Sequence, residues 1–431
     1  MRRSNKLGWS MLGAACAAVL VAPPIADASI ATPHIVSVNP VDYTPNLLGD
    51  ATVSHPAVYA FSASGASNTM YVGGQFHAMQ NAARTVSYVR TNFAAFDRGT
   101  GAVSTAFAPI LDGSVWGIVT NGTSVYAAGE FSTVDGLSRR GVVKLTAKGT
   151  VDPTFNAAAS FPSGVAYDMK LINGRLIVGG TFPKHLVALN PTTGADTGYL
   201  NLGIAGSVAV LSNAPTHVYR FAVTPDNSKL LAIGNFTTVS GQARSRAFML
   251  NLGARSGVLA SWYYGPLARQ CAHHNVPAYL RDVDFSPDGS YFVLVASGNV
   301  PMTGGLGTDV CDAAARLETN TAHQSKATWI NYTGGDTLHS VAVTSGVVYV
   351  QGHNRWLDNP QGHNSCLTTC VVRHGIGAIN PKTGRAMDWN PVKGRGIGGK
   401  ELLLTKRGLW VGSDTSLIDH EYHYGIALLP L

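Results

Sequence analysis

An all-β chain of seven repeated four-stranded units is the fold class this sequence predicts, and three observations carry that reading. The phrase "MYVGGQF" (70–76) returns as "VYAAGEF" (125–131), "LIVGGTF" (176–182) and "LLAIGNF" (230–236), with weaker copies "FVLVASGN" (292–299), "VYVQGHN" (348–354) and "LWVGSD" (409–414). Each copy has the same neighbours in the same order. Of 431 residues, 48 are glycine and only 13% are charged, too apolar for disorder and too glycine-rich for a helical protein.

The elements follow from the N-terminus. "MRRSNK" is a basic segment, "LGWSMLGAACAAVLVA" is apolar, and Ala26, Asp27 and Ala28 form a small-x-small cleavage site. Residues 1–28 therefore read as a signal peptide rather than a retained anchor. The residues around Arg2 and Arg3 fit a twin-arginine signal poorly. Gly13 stands where a lipid-attachment motif before Cys16 wants an aliphatic side chain. No later stretch is long and apolar enough to span a bilayer as a helix. Residues 29–56 form an N-terminal segment in which "PHIVSV" (33–38) has strand character.

From residue 57 to 431 the units run without a break. An apolar first strand opens each: "VYAF" at 58, "VWGIV" at 115, "AYDMKL" at 166, "VYRFAV" at 218, "LRDVDF" at 280, "LHSVAV" at 338 and "ELLLT" at 401. Turns such as "TNGTS", "INGR" and "SPDGS" lead to the glycine strand. The anchoring glycines are Gly74, Gly129, Gly180, Gly234, Gly298, Gly352 and Gly412, spaced by 55, 51, 54, 64, 54 and 60 residues. A third strand follows ("FAAFD", "GVVKL", "LVALN", "AFMLN", "AARLE", "GIGAIN", "YGIALL"). A second turn then leads to a fourth strand rich in Phe or Trp ("STAFAP", "DPTFN", "ASWYYG", "ATWINY", "AMDWNP").

Four antiparallel strands per unit, seven times over, is the grammar of a β-propeller. A two-domain sandwich would not need seven matching units. The glycines are expected to allow close packing between blades. Phe76, Phe131, Phe182 and Phe236 are expected to fill the inter-blade space. The last unit offers only three strands before Leu431, so 33–38 is expected to supply its outer strand and close the ring.

The repeated "YVGG-x-F … ALN/D-x-x-TG … F/WNP" resembles the delta-60 family of β-propeller repeats found in secreted actinobacterial proteins. The resemblance covers roughly residues 55–431, and the stretch from "WNPVKG" to the C-terminus resembles a closing blade. It implies an exported seven-bladed propeller and carries over no catalytic residues. The fifth and sixth units depart from the pattern, and there the cysteines and most histidines lie.

Charge and cysteine content narrow the function. The chain has 31 Lys and Arg against 24 Asp and Glu, net +7; the leader removes Arg2, Arg3, Lys6 and Asp27, leaving +5. No dense basic run marks a nucleic-acid partner. Cys271, Cys311, Cys366 and Cys370 remain, an even number in an exported chain. Cys271–Cys311 and Cys366–Cys370 are the preferred pairs among three possible connectivities. The 40-residue gap and C-x3-C spacing do not match zinc ribbons.

Candidate site residues come from aligning the first strands. One column reads Ala60, Gly117, Asp168, Arg220, Asp282 and Ser340. The next reads Tyr59, Trp116, Tyr167, Tyr219, Arg281 and His339, with Glu401 close to it in the seventh unit. Because strand side chains alternate, one column should face the channel. Trp116, Tyr167, Tyr219, Arg281 and His339, with Asp168, Arg220, Asp282 and Glu401, would line a funnel for a glycan, peptide or small anion. An ion-pair row satisfying buried charges is the structural alternative.

Asp168, Asp282 or Glu401 acting as acid and base in a glycan-cleaving enzyme is a rival function. A metal-dependent oxidoreductase using the late histidines is another. "CAHHN", "GHNRW", "GHNSC" and "DHEYH" concentrate them, with Asp419, His420, Glu421 and His423 in five residues. No H-E-x-x-H, G-x-S-x-G, phosphate loop or complete calcium loop is present. Asn121, Asn235 and Asn331 fit the glycosylation sequon but read as turn and strand residues. The expectation is a secreted, monomeric, non-catalytic binding propeller without cofactor or metal. Its longer loops near 77–91, 265–279, 299–311 and 354–374 should shape one mouth.

Overall fold

The computed structural model describes residues 32–208, 214–272, 279–366 and 369–431. The proposed leader lies outside them, as do His273 and His274. Among the described residues there is no α-helix; two short 3-10 turns interrupt an otherwise all-β chain.

Seven antiparallel sheets repeat one plan. The first is Ala57–Ala63, Thr69–Gln75 and Phe93–Asp97. The second is Val115–Thr120, Ser124–Gly129 and Val142–Thr146. The third is Ala166–Ile172, Arg175–Gly180 and Leu186–Leu189. The fourth is His217–Val223, Lys229–Asn235, Ala247–Leu252 and Gly257–Leu259. The fifth is Leu280–Phe285, Tyr291–Ala296, Ala313–Glu318 and Trp329–Tyr332. The sixth is Leu338–Val343, Val348–Gly352 and Ile376–Ile379. The seventh is Glu401–Thr405, Gly408–Gly412 and Ile426–Pro430. None closes on itself.

The fourth strands are shorter than the sequence suggests. In the first, second, third and sixth sheets they shrink to single bridges at Val103, Val151, Asp196 and Ala386. The aromatic residues that follow explain this. Phe107, Phe155 and Trp389 turn into the core instead of continuing a ladder.

The core lies between sheets rather than inside one. One cluster joins Tyr71 and Phe93 of the first sheet to Phe131 and Val143 of the second. Another joins Val58, Phe76 and Phe96 of the first sheet to Trp410, Ile426 and Leu428 of the seventh. Phe182 packs in the core shared by the second and third sheets, and Phe236 in that shared by the third and fourth. Each of the four phenylalanines thus fills the space toward the preceding sheet.

Gly412 faces the first sheet as expected, where a Cβ would meet Val58 and Phe61, but five of the anchoring glycines have a different reason. A Cβ on Gly74, Gly129, Gly180, Gly234 or Gly352 would sit on a carbonyl oxygen of its own sheet: Ala57, Ser114, Val165, His217 or Thr337. The close approach is to the start of the sheet's own first strand, not to a neighbouring blade. Gly73 and Gly179 do face the next sheet, where a Cβ would meet Val115 and Val218.

The cause is a β-bulge. In six first strands the register slips by one, at Tyr59, Trp116, Tyr167, Tyr219, Arg281 and His339. The extra residue drives the strand's backbone toward the facing glycine. In the fifth sheet Leu280 pairs with Ala296, so Ala296, not Gly298, holds the anchoring place. In the seventh, Glu401 pairs with Gly412 without a bulge and Ser413 takes that place.

Two further repeated positions tie each unit. The residue before the third strand is left-handed in all seven sheets (Asn92, Gly141, His185, Arg246, Asp312, Gly375 and Gly425), with φ between 40° and 79°. Arg90, Arg244 and Arg373 end the hairpins between second and third strands. Each reaches across to a carbonyl near the outer edge, at Ser104, Ala260 and Met387. Replacing Arg373 with Met should cost about 1–2 kcal/mol by removing these charge-assisted hydrogen bonds. Urea unfolding that matched the parent would refute the clamp.

The N-terminal segment lies antiparallel along the last strand. Ser37 N–H donates to Pro430 O (2.7 Å), Val41 N–H to Leu428 O (3.0 Å) and Leu47 N–H to Tyr424 O (2.9 Å). The contact therefore runs over 37–47 rather than 33–38. It is not a regular ladder, because Pro40 and Pro45 have no N–H to give. Val36 is buried with Tyr349 and Trp389, whose side chains bond its backbone. Cys271 is bonded to Cys311 and Cys366 to Cys370, with Cα separations of 5.8 and 5.6 Å.

Candidate functional site

The first strands lie side by side, and each is an edge strand whose outer N–H groups lack ladder partners. Carboxylates of the preceding sheet meet that need. Asp168 accepts from Phe221 N–H (2.8 Å) and from Met169 N–H (2.8 Å). Asp282 accepts from Val341 N–H (2.9 Å), and Asp284 from Val343 N–H (2.7 Å). The acids thus sew the third sheet to the fourth and the fifth to the sixth.

Arg220 crosses the channel. Its guanidinium donates to Tyr59 O (3.0 Å), lies 3.4 Å from Glu401 and 4.0 Å from Asp168. Four sheets meet at this one side chain. Glu401, aligned beside the aromatic column in the sequence, belongs instead to the layer of Asp168, Arg220 and Asp282. Its strand has no bulge, so it pairs with Gly412 as Asp168 pairs with Gly179. Lys400 then takes the seventh place in the aromatic column. Sequence alignment missed Lys400 by a single residue.

Below this layer a cavity of about 200 Å³ is lined by Lys170, Asp282, Asp284 and Glu401 among apolar neighbours. Burial pushes Glu401 up to about 8, with Arg220 opposing and Asp282 reinforcing the shift. Burial takes Asp284 to about 7 against the Val343 N–H, and Asp282 to about 6 against Arg220. Lys170 is held above its usual range: burial works against its charge, but Asp168 and Glu401 outweigh it. These acids are ion-paired or bonded to backbone. Lys170 and Asp284, one layer deeper than the columns compared in the sequence, could have been found by continuing the alternation by two residues.

The bulged column forms the mouth above. A bulge re-aims a side chain, so this column joins the channel beside the ionic layer instead of alternating away from it. Tyr59 and Trp116 stack at 4.1 Å; Trp116 meets Tyr167 edge-on at 5.7 Å, and Tyr167 meets Tyr219 at 5.3 Å. Tyr59 donates to Gln75 Oε1 (3.3 Å). The Trp116 Nε1–H is buried without a protein acceptor. Arg281 donates to Ser297 Oγ (3.2 Å) and lies over Tyr279. His339 is held well below its usual range by burial and then by Lys400, Arg281 and His353.

Strand direction puts every loop that precedes a first strand, and every loop between second and third strands, at this end. The described parts of the loops near 77–91, 265–279, 299–311 and 354–374 are all of these two kinds; 273–278 and 367–368 lie outside the described residues. Cys271–Cys311 ties two of them, and Asp336 binds Arg355 (2.8 Å) and Arg395 (3.3 Å) between others.

The "DHEYH" phrase separates. His423 turns inward to Thr44 Oγ1 (2.9 Å), and its other nitrogen lies 3.5 Å from Glu421. It occupies the place of the clamping arginines. Among the described residues no group of three or more His, Cys, Asp and Glu is arranged to hold a metal ion.

A family model described as a β-propeller domain of unknown function (DUF5122) matches residues 124–155, the second and third strands of the second sheet. No curated protein matches the chain. Among solved structures it is similar to the β-propeller domain of Cps50 (Swd1) from Myceliophteria thermophila. That likeness has 10% identity and a TM-score of 0.41, covering 68% of this chain and 80% of that one. The fold is all-β and propeller-like.

Proposed function

We propose that this chain is an exported, monomeric, non-catalytic β-propeller of seven blades that binds a ligand at the mouth where its first strands begin. In this reading residues 1–28 are a cleaved leader, 29–56 a segment that closes the ring, and 57–431 the propeller. Its origin is the secreted delta-60 group. Two disulfides suit an extracytoplasmic site, and among the described residues no helix is long and apolar enough to cross a membrane.

The contrast between two layers carries the proposal. Asp168, Asp282, Asp284, Arg220 and Glu401 already have protein partners. In the mouth, the Trp116 N–H has none, and Tyr167 and Tyr219 turn their rings toward one another beside it. Aromatic walls beside polar groups that the protein leaves unpaired are what ligand binding needs.

The test is a screen of residues 29–431 against glycan and peptide arrays, beside Trp116→Ala and Tyr167→Ala. A ligand held by the parent and lost by both variants is expected. Undiminished binding would move the site elsewhere. Turnover of a glycan abolished by Asp282→Asn or Glu401→Gln would replace this reading with the enzyme one.

A protein partner at the same face is the second reading. Val89 (78% exposed), Ile397 (67%), Leu137 (50%), Val372 (49%) and Leu417 (47%) stand on loops and hairpins of that end. Scattered apolar tips around one rim suit a docking surface.

A further inference from the structure

We infer that the mouth takes an acidic sugar, with the carboxylate of a uronic acid residue held between Arg281 and Lys400 and its pyranose ring against the wall of Trp116, Tyr167 and Tyr219. This rests on the mouth being the binding site.

The column at the mouth divides into two halves. Its first four members, on the first four sheets, are aromatic. Its last three, Arg281, His339 and Lys400, are nitrogen bases on adjacent sheets. Among the described residues neither Arg281 nor Lys400 has a carboxylate in ion-pair contact. Asp414 is the acid whose charge acts on Lys400, and its oxygens accept from Ile397 N–H (2.8 Å) and Gly398 N–H (3.3 Å). Gly398 packs against the His339 ring, which brings the segment before Lys400 onto the sixth sheet. Lys400 is lowered by burial, and Arg281 contributes to that shift. Arg281 and Lys400 flank His339 in the column, on the fifth and seventh sheets, and the His339 imidazole is held neutral by burial.

Like charges held together and half-buried imply a missing counter-ion. The rest of the mouth offers donors, namely the phenol groups of the half-buried Tyr167 and Tyr219. A ligand that matches must be rich in acceptors and negative on one side only. Its other side must lie on aromatic rings. A pyranose has apolar C–H faces and hydroxyl edges, and a uronic acid adds one carboxylate at the ring's end. A free carboxylate alone would leave the aromatic half unused, and a neutral sugar would leave the two cations unpaired.

The experiment is isothermal titration calorimetry of residues 29–431 with oligogalacturonate, its methyl ester and a short peptide with a free C-terminus. Arg281→Met, Arg281→Lys and Lys400→Met are measured alongside, each first checked by thermal melting. Binding of the acid oligomer is expected, weakened at least tenfold by esterification, by Lys400→Met and by Arg281→Met. Arg281→Lys should retain part of the affinity, and serves in its place if the Met variant does not fold. Equal binding of the methyl ester would overturn the inference while leaving the mouth as a neutral-glycan site. Equal binding of the peptide would overturn the sugar assignment. No binding of any probe would overturn it too, leaving the array screen with Trp116→Ala to judge the mouth itself.

Discussion

Arg220→Met should destabilise the protein by about 3–5 kcal/mol, among the largest losses from any single substitution here. The side chain is only 12% exposed and stands between two carboxylates and a carbonyl from three other sheets. Removing it leaves Glu401 and Asp168 without their shared guanidinium, with Lys170 as the remaining cation of the cluster. Lys at this position keeps the charge but not the fork that reaches Tyr59 O and Glu401 together, so Arg220→Lys should cost less, about 1–2 kcal/mol. A second change separates charge from packing. In the Arg220→Met background, Glu401→Gln should recover part of the loss, because one of the two stranded acids is gone. Urea unfolding gives all four values. A loss below about 1 kcal/mol for Arg220→Met would mean that the channel acids are solvated well enough to need no partner.

The repeat that positions this arginine was legible in the sequence because it is periodic. Turn chemistry, the phenylalanine after the glycines and both cysteine pairings follow from local pattern. So does the aromatic column from Tyr59 to Tyr219. What escaped is what depends on a count of one. The bulge at Tyr59 and its equivalents leaves no residue signature, since Tyr, Trp, Arg and His all occupy it. Strict alternation therefore chose between two columns that the bulge brings to the channel together.

The same slip misplaced Glu401, whose strand alone lacks the bulge, and concealed Lys400 behind it. Gly298 attracted the fifth anchor because it is a glycine near the right spacing, whereas pairing puts Ala296 there. The clamping arginines were readable as a recurring Arg shortly before the third strand, at Arg90, Arg244 and Arg373, with His423 as their counterpart in the seventh unit. The histidine phrase drew attention as a metal motif instead. His423 is bonded to Thr44, 379 residues away in the chain, and no local reading brings the two together.

Stability should fall as pH rises from 6.5 to 8, by about 2 kcal/mol. Glu401 (about 8), Asp284 (about 7), Asp312 (about 7) and Asp282 (about 6) are all raised first by burial. In the unfolded chain these acids ionise near pH 4. Between those values the folded protein holds more protons than the unfolded one, so stability is fully present below the unfolded values and is lost as pH passes the folded ones. Taken separately the four shifts would give more than 2 kcal/mol. Asp282 and Glu401 share neighbours, and the Glu401 side chain keeps 20% of its exposure, so the sum is discounted.

The window matters. Below about pH 6.5 His339 and His217, both lowered by burial, act in the opposite sense, because only the unfolded chain protonates them readily. Above pH 8 Lys393, brought down to about 8 by burial, also opposes the trend. Glu401→Gln should flatten the slope between 6.5 and 8 by about half, since Gln cannot ionise and Glu401 contributes the largest single share. Denaturant midpoints at closely spaced pH values would measure both slopes. A parent slope of zero would mean that water enters the 200 Å³ cavity freely and ionises the acids at their ordinary values. A steep slope that survives Glu401→Gln would assign the proton to Asp284 and Asp312 instead.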